Sequence, residues 1–115
     1  MLNIETDVIK DCMIIRVAGD VDLYSSPQIR KVILEQIKKK QKKMLIDLKG
    51  VGYMDSSGVA TLVEALQRMK EYKGQLGICS IQGSVRDVFE LSRLDRVFDI
   101  FEDEEQARKA CHVDD

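Results

Sequence analysis

The chain of 115 residues has no tryptophan, one histidine, one proline and three cysteines. Each shortage removes a class of chemistry. A single histidine, His112, cannot build a multi-histidine metal site, and it stands near the polar C-terminal tail. Cys12, Cys79 and Cys111 are too few and too scattered for a disulfide framework or a zinc knuckle. They read as reduced thiols in a cytoplasmic setting, with Cys12 and Cys79 inside apolar runs where cysteine behaves as a small hydrophobe. No charge of one sign dominates: 18 Lys and Arg face 20 Asp and Glu, for a net charge of -2. That balance gives no general pull toward nucleic acid. No apolar run approaches the roughly 20 residues that span a bilayer, and the opening Met1-Leu2-Asn3-Ile4-Glu5-Thr6-Asp7 has neither the basic region nor the apolar core of a signal peptide.

What is present is ordinary globular material, 44% hydrophobic and 33% charged. The length predicts a single domain over residues 1–115, with a core from about residue 4 to 111. Strand and helix patterns alternate. Asn3 to Ile9 and Cys12 to Ala18 read as a hairpin turned at Lys10-Asp11. The second run is almost continuously apolar, as in a strand covered on both faces. Ser25-Ser26-Pro27 opens a helix, with serine at N-cap followed by proline at N1, and Ile29, Val32, Ile33 and Ile37 follow at helical spacing. Met44 to Leu48 is a third strand. After Gly50-Val51-Gly52 comes a second helix carrying Val59, Leu62, Val63, Leu66 and Met69, closed by Gly74. Leu76 to Cys79, a helix capped by Ser84, Phe98 to Phe101 and a last helix from Glu104 to Ala110 complete the chain. The expected fold is α/β, in the order β-β-α-β-α-β-α-β-α, with a mixed and mostly parallel sheet whose first strand is antiparallel. The cluster Lys38-Lys39-Lys40-Gln41-Lys42-Lys43 reads as a solvated helix end, because no aromatic residue interleaves it.

In such a sheet the loops leaving the carboxyl ends of the parallel strands share one edge, where sites collect. Those loops are residues 19–25, 53–56 and 80–83. Asp55-Ser56-Ser57-Gly58 lies at a strand-to-helix turn, where serine and aspartate commonly cap. A phosphate on a serine there would meet helical N–H groups and the positive helix end. Hydrolase chemistry is not supported, since Met54 stands where the nucleophile elbow Gly-x-Ser-x-Gly requires glycine. Gly50-Val51-Gly52 lacks the Lys-Ser or Lys-Thr pair of a Walker loop. Asp20 and Asp22 read as turn residues ahead of metal ligands. An aspartyl-phosphate receiver would place a lysine after the fifth strand, but Phe101 is followed by Glu102-Asp103-Glu104-Glu105.

Three segments together carry a family likeness. They are Gly19-Asp20-Val21-Asp22-Leu23 with Ser26-Pro27, Leu45 through Gly58, and Leu91-Ser92-Arg93-Leu94-Asp95-Arg96-Val97-Phe98. The chain resembles a STAS domain of the bacterial anti-sigma factor antagonist type from about Ile4 to Cys111. The resemblance implies a phosphoprotein that works by partner switching. Its unmodified form binds an anti-sigma factor that is also a serine kinase, which frees a sigma factor. Phosphorylation at Ser56 ends binding, and a PP2C-type phosphatase restores it. Asp22, Ser25, Met54, Asp55, Ser56, Ser57, Gly58 and Val59 are the residues expected at the partner surface, with no catalytic residue, metal, cofactor, nucleic acid or membrane involved. Two departures from the family pattern stand out: Arg93 replaces a frequent glycine, and Ser80-Ile81-Gln82-Gly83-Ser84 lacks a frequent proline. Alternative readings are a non-switching STAS scaffold in a stress-signalling or lipid-transport complex, a regulatory domain of an anion transporter, and a nucleotide-binding STAS protein.

Overall fold

The computed structural model describes residues 2–113, with side chains as far as Ala110. Cys111 and His112 lie outside the described side chains. The strands are β1 (Asn3–Ile9), β2 (Cys12–Ala18), β3 (Lys43–Gly50), β4 (Gln75–Cys79) and β5 (Asp99–Phe101). The helices are α1 (Ser26–Lys38), α2 (Ser56–Lys70), α3 (Gly83–Leu91) and α4 (Glu104–Val113), and one 3-10 turn spans Leu94–Arg96. The sheet runs β1-β2-β3-β4-β5. As expected, β1 is antiparallel to β2 and the other pairs are parallel. The hairpin is a two-residue connection with Lys10 at φ +58°, the sense that the primed turns favour.

Sequential strand order and right-handed crossovers put α1, α2 and α3 on one face. Alternation along the strands then sorts the core. Met13, Ile15, Val17, Met44, Ile46 and Leu48 face these helices in the large apolar cluster. Cys12, Ile14, Leu45 and Cys79 face the other way, where Ala107 of α4 meets them in a second, smaller cluster. The near-continuous apolar run of β2 is thereby explained. Phe89 of α3 is fully buried, its ring 5.9 Å from that of Phe98. Burial of one such side chain contributes about 2–3 kcal/mol.

Helix boundaries depart from expectation where side chains find other work. Ser25, not Ser26, is the residue before α1, and its hydroxyl makes no cap bond to the helix. Ser84 lies inside α3 and donates its hydroxyl to the Gly52 carbonyl at 2.8 Å, so it ties two loops instead of capping. At the end of α2 the left-handed residue is Lys73, at φ +62°, and Gly74 is kept by space: a Cβ there would meet Met69 Cε and Tyr72 Cε1 at 3.0 Å. The lysine cluster is only partly a solvated helix end. Lys42 donates to the Tyr72 carbonyl at 2.6 Å, Lys40 and Lys42 lie over the Tyr72 ring, and the Tyr72 hydroxyl donates to the Gln41 carbonyl. Lys43 already belongs to β3. Asp103 caps α4, accepting from the Gln106 N–H at 2.8 Å.

Arg93 sits at φ +58°, ψ +25° ahead of the 3-10 turn. Its position therefore demands the left-handed conformation that glycine adopts without a steric cost. Arg93→Gly should raise stability by up to about 1 kcal/mol, the left-handed strain less the added chain entropy. A urea-denaturation midpoint below that of the parent protein would contradict this.

Candidate functional site

The site is assembled by a bulge. Arg16 pairs with Asp47, but Ala18 pairs with Gly50, so β3 carries one extra residue there. The two backbones approach closely: a Cβ on Gly50 would stand 2.7 Å from Ala18 Cβ. Only glycine fits. The Gly19 N–H donates to the Gly50 carbonyl at 3.0 Å, and the loops after β2 and β3 then run side by side. Val21 and Met54 form a parallel bridge, in which Val21 N–H donates to Tyr53 O at 2.9 Å and Asp55 N–H donates to Val21 O at 3.0 Å. The loop before α3 joins through Ser84 and through Gln82, whose side-chain amide donates to the Lys49 carbonyl at 3.1 Å. The expected convergence of the three loops on one edge is thus built from hydrogen bonds.

Asp55 organises the centre. Its Oδ1 accepts from the N–H groups of Ser57 and Gly58 and from the Ser57 hydroxyl. These bonds, led by the Ser57 hydroxyl, hold the Asp55 carboxyl below the usual carboxylate range. The N–H groups of Ser57 and Gly58 at the start of α2 are therefore already satisfied. A phosphate on Ser56 would not inherit an open helix end, contrary to the expectation from sequence. It would sit beside a carboxylate that already fills that role.

Asp22 serves its own turn. Its Oδ1 accepts from the N–H groups of Tyr24 and Ser25, both at 2.9 Å. The Ser25 hydroxyl accepts from Asp22 N–H and donates to the Asp20 carbonyl. This is the turn geometry expected of aspartate there.

The expected surface residues separate in depth. Ser56 is exposed, and its hydroxyl has no hydrogen-bond partner among the described residues. Asp22, Ser25, Asp55, Ser57 and Val59 are half-buried. Met54 and Gly58 are corrections. Met54 is only 3% exposed and packs in the core beside the fully buried Val21, so it offers no side chain to a partner. Gly58 is buried over both: a Cβ would meet Met54 Cγ and Val21 Cγ1 at 2.7 Å. The apolar surface of this edge comes from residues that sequence reasoning passed over, Leu23 at 67%, Tyr24 at 87% and Tyr53 at 48% exposure. Large apolar side chains in a polar loop were the available signal.

These features of loop and fold coincide with a known family. A profile of the STAS domain matches residues 3–107. The chain belongs to the STAS domain family. Among curated relatives it is similar to an anti-sigma F factor antagonist of Paenibacillus polymyxa, 25% identical over 113 residues and covering 97% of each chain. It superposes on a crystal structure of an anti-sigma factor antagonist from Mycobacterium paratuberculosis with a TM-score of 0.89, at 19% identity over 96% of this chain and 93% of that one. The Bacillus cell fate determinant SpoIIAA in its phosphorylated form gives a TM-score of 0.73, at 22% identity over 96% and 99% of the two chains. The five-strand mixed sheet with four helices is the shared STAS architecture.

The packing at Gly58 yields a test. Gly58→Ala forces a methyl between Met54 and the branched Val21 and should destabilise this STAS domain by about 1–3 kcal/mol. Thermal or urea unfolding measures it, and an unchanged midpoint would show that α2 can move off the bridge freely.

Proposed function

We propose that this chain is an anti-sigma factor antagonist switched by phosphorylation of Ser56. In its unmodified form it binds an anti-sigma factor with serine-kinase activity, which releases a sigma factor; a PP2C-type phosphatase reverses the modification. The setting is the bacterial cytoplasm, and no helix among the described residues is long and apolar enough to cross a membrane. The names of its relatives support the antagonist role.

The observation that carries the reading is the inequality of two adjacent serines. The Ser57 hydroxyl is engaged by Asp55, whereas that of Ser56 is exposed and unengaged. A kinase needs a hydroxyl it can reach, and Ser56 is the one offered. The surroundings supply both halves of a switch. Leu23, Tyr24 and Tyr53 give apolar contact area on the same edge. Asp55 and Asp22 make that edge acidic, so a phosphate adding about -1.5 to -2 charge meets like charge and must be desolvated when a partner docks. Because the loop is fastened by backbone bonds, binding can be lost with little change of fold.

The experiment is a pull-down and kinase assay with the cognate anti-sigma factor and ATP. Ser56→Ala should bind whether or not ATP is present and take up no phosphate. Ser56→Asp should bind about tenfold or more weakly, as expected for an uncompensated charge in an interface. Phosphate mapped to Ser57 alone, or equal binding by both variants, would refute the switch and favour a STAS scaffold that does not switch.

A further inference from the structure

Charge that balances over the whole chain is unevenly placed in the fold. The parallel strands β2 to β5 all start at the end of the sheet where α1, α2 and α3 finish. That end lies opposite the Ser56 edge, across the eight residues of β3, or about 25 Å. Four turns there lead into the four strands. Each holds one non-glycine residue in the left-handed conformation: Lys10 at φ +58°, Lys40 at +59°, Lys73 at +62° and Arg93 at +58°. All four are exposed. Ser80, the remaining left-handed residue of this kind among the described residues, follows β4 and belongs to the opposite edge.

Glycine takes this conformation without steric cost. The chain has a basic side chain at all four turns instead. Attraction to the negative end of a helix accounts for lysines in a last helical turn. It does not account for Lys10, which lies in a hairpin. What the four share is an exposed cation at one end of the molecule. Lys38, Lys39, Lys42 and Lys70 are exposed around the same turns and enlarge the patch. Hydrogen bonds fix its layout. The Gln41 side-chain amide donates to the Asp11 carbonyl at 2.8 Å, joining the hairpin turn to the turn before β3. The Gln75 N–H donates to the Lys42 carbonyl at 2.6 Å and joins that turn to the one before β4. The acids here are Asp11, which lies 3.7 Å from Lys43, Glu71 next to Lys70, and Glu90, Asp95 and Asp99 towards β5. Exposed aliphatic side chains stand at both flanks: Val8 on β1, two residues before Lys10, and Leu91 and Val97 on either side of Arg93, with Leu91 85% exposed.

We propose that this basic end is a docking surface for an anionic lipid membrane, with the lysines at the headgroup phosphates and Val8, Leu91 and Val97 entering the interface.

The arrangement separates a membrane from other anionic partners. A protein interface is poor in lysine at its centre and polar at its rim. Here lysines hold the centre and aliphatic side chains the flanks. Nucleic acid would leave those aliphatic groups unused. The Tyr72 ring in the middle of the patch is half-buried beneath Lys40 and Lys42 and is not free to stack on a base. The acids of the Ser56 edge lie beyond the screening length of about 8 Å at physiological salt, so the overall charge of -2 does not cancel the attraction. A membrane bound at this end leaves the Ser56 loop facing away from it. This surface is additional to the antagonist role and does not rest on it.

Vesicle flotation of the full chain tests the surface. Vesicles of phosphatidylglycerol and phosphatidylcholine in equal parts should carry the protein at about 0.1 M salt, and vesicles of phosphatidylcholine alone should not. A variant combining Lys10→Gly, Lys40→Gly, Lys73→Gly and Arg93→Gly removes four charges where glycine suits the backbone. Its partition to the anionic vesicles should fall about a hundredfold or more. The proposal is overturned if the parent protein binds both vesicles alike or neither, if the four-glycine variant binds as the parent does, or if a random-sequence DNA duplex is bound as tightly as the anionic vesicles. Should that variant not fold, amide hydrogen exchange of the parent protein with the anionic vesicles decides: protection gained at residues 38–42 and 70–74 supports the surface, and its absence there overturns it.

Discussion

Five strands laid down in sequential order, joined by right-handed crossovers, leave this chain one way to distribute its helices. Each crossover steps one strand in the same direction, so α1, α2 and α3 all fall on one face. The large core forms beneath them. The other face is left to the C-terminal helix alone, with a small cluster in which Ala107 is the contributor from α4. The same constraint sends the loops after β2, β3 and β4 to one edge. Division of labour follows: one face holds most of the core, one edge gathers three loops, and the remaining face carries a single helix.

On that edge the chain is held by close approach more than by large side chains. Gly50 lets the bulged end of β3 touch β2, and Gly58 lets the start of α2 rest on Val21 and Met54. Hydrogen bonds from backbone and from Ser84 then tie three loops together. Such a platform is rigid while its outer atoms stay free. Asp55 has the central part in it. By filling the helix end and holding Ser57, it leaves Ser56 as the exposed hydroxyl and supplies a negative charge next to it. In a domain whose whole net charge is -2, one phosphate is a comparable change, concentrated at a single point.

Much of this was legible in the sequence. The apolar runs flanking the polar Lys10-Asp11 corner placed β1 and β2 at their observed limits, and the spacing of Ile29, Ile33 and Ile37 marked the buried side of α1. The order of elements implied the parallel sheet and the shared edge. Depth was not legible. Met54 and Val59 look alike in a string of letters, yet one is buried against Val21 and the other half-exposed. The partners of short polar side chains were equally hidden: Ser84 and Ser25 look like caps, but each bonds to a loop carbonyl.

What the sequence determined by itself is the periodic part, because hydrophobic spacing is a local property that each helix or strand satisfies alone. It also determined the motif around Ser56, since an Asp-Ser-Ser-Gly turn ahead of an apolar helix has its own local chemistry. Tertiary structure decided which polar groups meet. Arg16 and Glu104 are separated by most of the chain, and only the turn of α4 back across the sheet brings the guanidinium against that carboxylate. No local pattern encodes that contact, because it joins the second strand to the last helix and its strength depends on how far the fold shields the pair from water.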